Sequence, residues 1–181
     1  LPNLQQAGDG FMVDNGMMEQ LELPNLQEVG NCFLGYNKSL RQLKLPSLQK
    51  VGNVFLRENK YLTQLELPNL QSAGDGFLAK NENIEQLELP NLQNVEDEFL
   101  RCNKVLRLLE LPCLQKVGYD FLSRNEELME VELPSLQEVG EDFLYKNNAL
   151  TQLELPSLKK AKSGFLYCNE FYYVQIPSGY S

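Results

Sequence analysis

Glutamate and glutamine recur along this chain at a fixed spacing of 22 residues, and they are the first groups that could do chemistry. Glu22, Glu66, Glu88, Glu110, Glu132 and Glu154 form one series, interrupted at Lys44. Two residues ahead runs a second: Gln20, Gln42, Gln64, Gln86, Leu108, Glu130 and Gln152. A row of carboxylates and amides accepts hydrogen bonds and attracts cations, so it suits basic or hydroxyl-rich ligands. The candidate binding face is Gln64, Glu66, Gln86, Glu88, Glu110 and Glu132. Duplication of a repeat would also produce such a row, solvated and without a ligand.

Catalysis has less to work with. The chain has no histidine, which removes the commonest general base and any Ser-His or Cys-His pair. No glycine-rich phosphate loop is present, and no catalytic residue, cofactor or metal site is expected. The four cysteines match no zinc spacing. Cys102 and Cys168 hold equivalent positions three repeats apart, roughly 14 Å at strand spacing, whereas a disulfide needs Cα atoms within about 7 Å. Free thiols are expected. Tyr36, Tyr61, Tyr119, Tyr145 and Tyr167 are the candidate interaction aromatics, because tyrosine joins an apolar body to a polar tip. Scattered surface tyrosine is the alternative.

The elements that must position these groups follow from the period. Leu-Pro begins copies at residues 1, 23, 45, 67, 89, 111, 133 and 155. A fixed period of this length marks a solenoid, in which each unit buries its apolar side against its neighbours. Aligned on Leu-Pro, the unit reads L-P-x-L-Q-x-V-G-x-x-F-L-x-x-N-x-x-L-x-x-L-x. The segment Leu40-Arg-Gln-Leu-Lys-Leu-Pro46 alternates leucine with polar residues and predicts a strand that proline ends. These segments should stack into one parallel β-sheet, with Glu beside Glu at roughly 1 kcal/mol of repulsion in water. The stretch G-x-x-F-L-x-x-N reads as a helical or 3₁₀ turn on the opposite side, dropping Phe and Leu into the core. Glycine at the eighth place (Gly30, Gly52, Gly74, Gly118, Gly140) reads as a positive-φ corner, although Glu96 and Lys162 also stand there. Place eleven is Phe and place fifteen Asn in all eight copies. A buried stack of Asn amides could satisfy corner backbone groups, each of which costs about 1–3 kcal/mol if left unpaired.

The segment Leu62-Thr-Gln-Leu-Glu-Leu-Pro-Asn-Leu-Gln-Ser-Ala-Gly-Asp-Gly-Phe-Leu-Ala-Lys-Asn81 resembles the BspA-like leucine-rich repeats of bacteria and some protists, whose unit is usually one residue longer and carries A-F where this chain has F-L. The resemblance runs end to end. It implies an α/β-type leucine-rich repeat solenoid over residues 1–181, with a divergent C-terminal end at 170–181. It also implies a non-enzymatic binding module of a bacterial surface or secreted protein, with a protein or glycan ligand from a host or neighbouring cell. A structural spacer, or the recognition arm of a secreted effector, are the alternatives. The chain opens within a repeat and reads as part of a longer protein. End-to-end self-association is open to it. The net charge of −9 and a pI near 4.6 argue against nucleic acid. No apolar run approaches the ~20 residues that a bilayer-spanning helix needs.

Overall fold

A computed structural model describes residues 1–178. Each copy contributes two short strands. In chain order these are β1 (Gln6–Ala7), β2 (Gln20–Glu22), β3 (Glu28–Val29), β4 (Gln42–Lys44), β5 (Lys50–Val51), β6 (Gln64–Glu66), β7 (Ser72–Ala73) and β8 (Gln86–Glu88). The series goes on with β9 (Asn94–Val95), β10 (Leu108–Glu110), β11 (Lys116–Val117), β12 (Glu130–Glu132), β13 (Glu138–Val139), β14 (Gln152–Glu154), β15 (Lys160–Ala161) and β16 (Tyr173–Gln175). The chain is therefore a parallel β-solenoid of eight turns. The odd-numbered strands form one unbroken eight-stranded sheet that the leucine pattern does not announce. Two residues per strand are too few to show an alternation of polar and apolar side chains.

The predicted strand segments also pair in parallel, with equivalent residues opposite one another: Gln42 with Gln64, Leu109 with Val131, Glu110 with Glu132. They do not make one sheet. They divide into β2-β4-β6, β8-β10-β12 and β14-β16, with breaks between β6 and β8 and between β12 and β14. Proline acts as expected. Leu48 N–H donates to the Leu45 carbonyl across Pro46 at 3.2 Å, a turn whose second position suits the fixed φ of proline.

The helical or 3₁₀ turn does not form; among the described residues there is no helix. Places ten, twelve and fourteen of every copy instead take positive φ, between 52° and 73°. Left-handed residues alternate with their neighbours, and their amides point alternately forward and back along the stack. Cys32 N–H donates to Asn53 of the following copy at 2.8 Å, Leu56 N–H to Phe33 of the preceding copy at 3.0 Å, and Tyr36 N–H to Arg57 of the following copy at 2.9 Å. A helix would spend those donors on its own turn. The left-handed conformation costs roughly 1–2 kcal/mol per non-glycine residue, and bonds to both neighbouring copies offset it.

The glycines of place eight are not positive-φ corners; among the described residues only Gly10, Gly76 and Gly164, all at place ten, are left-handed glycines. Where glycine holds place eight its backbone lies close to the preceding copy, although Glu96 and Lys162 hold the same place in two other copies. A Cβ on Gly52 would lie 2.7 Å from the Gly30 carbonyl carbon and 2.9 Å from the Asn31 nitrogen.

Inside, Phe33, Phe55, Phe77, Phe99, Phe121 and Phe143 are fully buried. The eight phenylalanine rings of place eleven stack with centroids 5.0–5.8 Å apart and planes within 5–11°. Leucines from the other apolar places complete one continuous core. The Asn column is buried as expected. Asn103 donates from Nδ2 to the Leu78 carbonyl at 3.1 Å and to Leu100 at 2.7 Å, and its Oδ1 accepts Asn81 N–H at 3.2 Å.

At the divergent end, Tyr173 pairs with Gln152, one residue short of the usual step. Phe171 and Ile176 pack on the last turn while Tyr172 stays exposed. Residues 179–181 of that end lie outside the described residues. All four cysteines are free thiols.

Candidate binding face

The strands β2, β4, β6, β8, β10, β12 and β14 point their middle residue inward and the two flanking residues outward, which fixes where the Gln and Glu series stand. Gln64, Glu66, Gln86, Glu88 and Glu132 are exposed and Glu110 is half-buried. The structure brings together Gln86, Glu88, Glu110 and Glu132 on the paired strands β8, β10 and β12. It sets Gln64 and Glu66 apart from them, across the first break.

The charge along the face is not uniform. Lys44 Nζ lies 2.7 Å from Glu66 Oε1, and this bond, reinforced by the charge of Glu66 and of Glu22, holds the Lys44 ammonium above its ordinary range. The first block of strands therefore neutralises itself in part. From Glu88 to Glu154 the outer row is glutamate alone. Both breaks fall between glutamates, at Glu66–Glu88 and Glu132–Glu154, but Glu88, Glu110 and Glu132 also face one another on paired strands, so repulsion along the row does not by itself place the breaks.

The second break is also a cleft of about 590 Å³, lined by Met129, Glu130, Val131, Glu132, Leu133, Pro134, Thr151, Gln152, Leu153, Glu154 and Pro156. Glu130, Met129 and Glu154 lie outside the sequence-based candidate set. The signal available for them is weak: place nineteen holds Glu19, Arg41, Thr63, Glu85, Arg107 and Thr151, and apolar Met129 is the exception. Met129 is 63% exposed.

The tyrosines do not converge. Tyr36, Tyr61, Tyr119 and Tyr167 are exposed, and they occupy different places of the repeat. Only Tyr145 and Tyr167 meet, with ring centroids 6.2 Å apart. Arg124 and Lys146 both lie against the Tyr145 ring, at 5.9 and 5.2 Å, so that ring is committed to contacts within the fold. Tyr119 ends a second side-chain ladder that place nine did not reveal. Asn31 N–H donates to Asp9, Asn53 to Asn31, Asp75 to Asn53, Asp97 to Asp75 and Tyr119 to Asp97. Partial burial and the carboxylates of Glu98, Asp97, Asp75 and Asp120 push the Tyr119 phenol upward.

Repeat period, strand ladders and buried Asn column together define a leucine-rich repeat with left-handed turns. A family model described as the BspA type leucine rich repeat region, six copies, matches residues 11–123 and 99–181. The chain belongs to this family. No curated protein and no solved structure matches it. In this BspA-type solenoid the family assignment accounts for the repeat module. Among the described residues no helix is long and apolar enough to cross a membrane, and no acidic or cysteine cluster has the form of a metal site.

Proposed function

We propose that this solenoid is a non-enzymatic recognition module of a bacterial surface or secreted protein, binding a protein or glycan of a host or neighbouring cell on its Gln/Glu strand face. One observation carries the reading. Gln86, Glu88, Glu110 and Glu132 stand in register on paired strands, with no lysine or arginine on those three strands to neutralise them. Such a face recognises cationic or hydroxyl-bearing groups through charge-assisted hydrogen bonds. Its affinity should fall as salt rises through physiological strength, where the Debye length is about 8 Å.

The test is binding to a panel of immobilised host-matrix glycoproteins and neutral glycans. The triple reversal Glu88→Lys, Glu110→Lys and Glu132→Lys should abolish capture while the urea midpoint stays close to that of the parent chain. Capture that survives the reversal, or a panel that captures nothing, overturns the reading. The second reading is a structural spacer. The uninterrupted phenylalanine stack and the eight-stranded ladder favour it, since they give the molecule a stiff axis irrespective of its surface. An empty panel favours the spacer.

A further inference from the structure

The break between β12 and β14 leaves backbone groups unpaired beside the cleft. Elsewhere the strands close in a fixed way: Leu111 N–H donates to the Glu132 carbonyl at 3.1 Å, and Met129 and Glu130 N–H both donate to Arg107, at 3.0 and 3.1 Å. The equivalent bonds from Leu133 to Glu154, and from Thr151 and Gln152 to Met129, are not formed. Two carbonyls that would have accepted them, Met129 and Glu154, border the gap. The carboxylates of Glu130, Glu132 and Glu154 rim it, and the half-buried Val131 and the exposed Met129 supply apolar surface. None of the lining residues is cationic.

We infer that this cleft is a subsite for an arginine side chain presented by a basic, extended peptide. This rests on the proposed recognition role of the strand face and names the group that the face selects. A guanidinium carries five N–H donors in a planar fork and no acceptor, which matches a site rich in carboxylate and carbonyl oxygens. Its three-carbon stem lies along apolar surface while the head reaches the acceptors. Lysine brings the same charge with three donors on a compact head, so it engages fewer of these oxygens. The free Leu133, Thr151 and Gln152 amides remain for carbonyls of the peptide backbone.

The experiment uses the whole chain and a capped Gly-Arg-Arg-Gly peptide, followed by backbone amide NMR, with lysine and citrulline peptides alongside. Saturable shifts should concentrate at residues 129–134 and 151–156. Lysine should bind several-fold more weakly, and neutral citrulline should give no saturable shift. The pair Glu132→Gln and Glu154→Gln should weaken binding by about tenfold or more, the scale of lost charge-assisted bonds. The pair Glu66→Gln and Glu88→Gln, on the acidic face but outside the cleft, should weaken it measurably less than the first pair. Met129→Arg, which sets a cation beside the cleft at a place where Arg41 and Arg107 stand in other copies, should abolish it and serves if the first pair fails to fold. No saturable shift with the arginine peptide, or equal affinity for arginine and citrulline, overturns the subsite. Shifts spread along the whole face, with equal losses from both Gln pairs, overturn the subsite while leaving the broader acidic-face reading standing.

Discussion

At the scale of single residues, the asparagines and the eighth-place glycines carry much of the specification. Asn103 satisfies three backbone groups that have no strand partner: two carbonyls and one amide. Asn81 donates to Leu56 and Leu78, but its Oδ1 has no partner, because the bond expected from Asn59 lies at the first break. Asn103→Ala should therefore cost more than Asn81→Ala, at about 1–3 kcal/mol for each group left unpaired. Glu88→Ala should cost least, since it thins a self-repelling row. Urea melts of the three variants check the order. Gly52→Ala should destabilise by roughly 1–3 kcal/mol, the usual cost of overpacking, because the added methyl meets backbone of the preceding copy. Unchanged stability would show that the copies can separate there. The asparagine role was legible in the sequence, because eight identical amides at one place point to a buried task. The glycine role was misread as a matter of φ. Close approach between copies depends on distances in space, and no residue in the chain records them.

At the scale of elements, the leucine segments announced one sheet and the structure holds two kinds. The ladder of β1, β3, β5, β7, β9, β11, β13 and β15 is continuous, while the Gln/Glu strands are cut twice. Hydrogen exchange should separate them. Amides of Arg41, Gln42, Arg107 and Leu108 donate to the preceding copy and should be protected. Those of Glu85, Gln86, Thr151 and Gln152, which follow the breaks, should exchange much faster. Uniform protection along the face would mean that the breaks are closed in solution. The turn of places ten to fourteen was the least legible element. Phe and Leu side by side suggested helix, and nothing in residues such as Val54 or Leu56 signals φ of 63° and 55°. Bonds to the neighbouring copies impose that backbone, and they exist only once the copies are stacked.

At the scale of the whole molecule, the phenylalanine stack and the eight-stranded ladder make a spine that neither break interrupts. The acidic face hangs on that spine in blocks of three, three and two strands. Stability in such an array is close to a sum of unit and neighbour terms. Phe77→Ala should thus be felt well beyond its own copy. It removes a fully buried ring at 5.3 and 5.0 Å from its two neighbours, at about 3–5 kcal/mol. A melt in which only one end of the chain lost order would show that cooperativity stops at the breaks. The overall solenoid was plain from the period alone. The division of its acidic face was not, since the same Leu-Gln-Leu-Glu pattern sits on both sides of a break.

The step of 22 residues between hydrogen-bonded partners has a genetic consequence. Nearly every inter-copy contact recurs at the same places one unit further along. Excision of residues 67–88 would bring Asn59 against Asn103 and Phe55 against Phe99, each meeting the same kind of neighbour it has now. A loss of 21 residues would throw amide, ring and strand out of phase together. The chain does depart from the step near Tyr173, beyond Asn169, the last member of the amide column. Crossing-over between copies can thus lengthen or shorten the gene product by whole units at little cost in folding, so related strains should differ in copy number far more readily than in unit length.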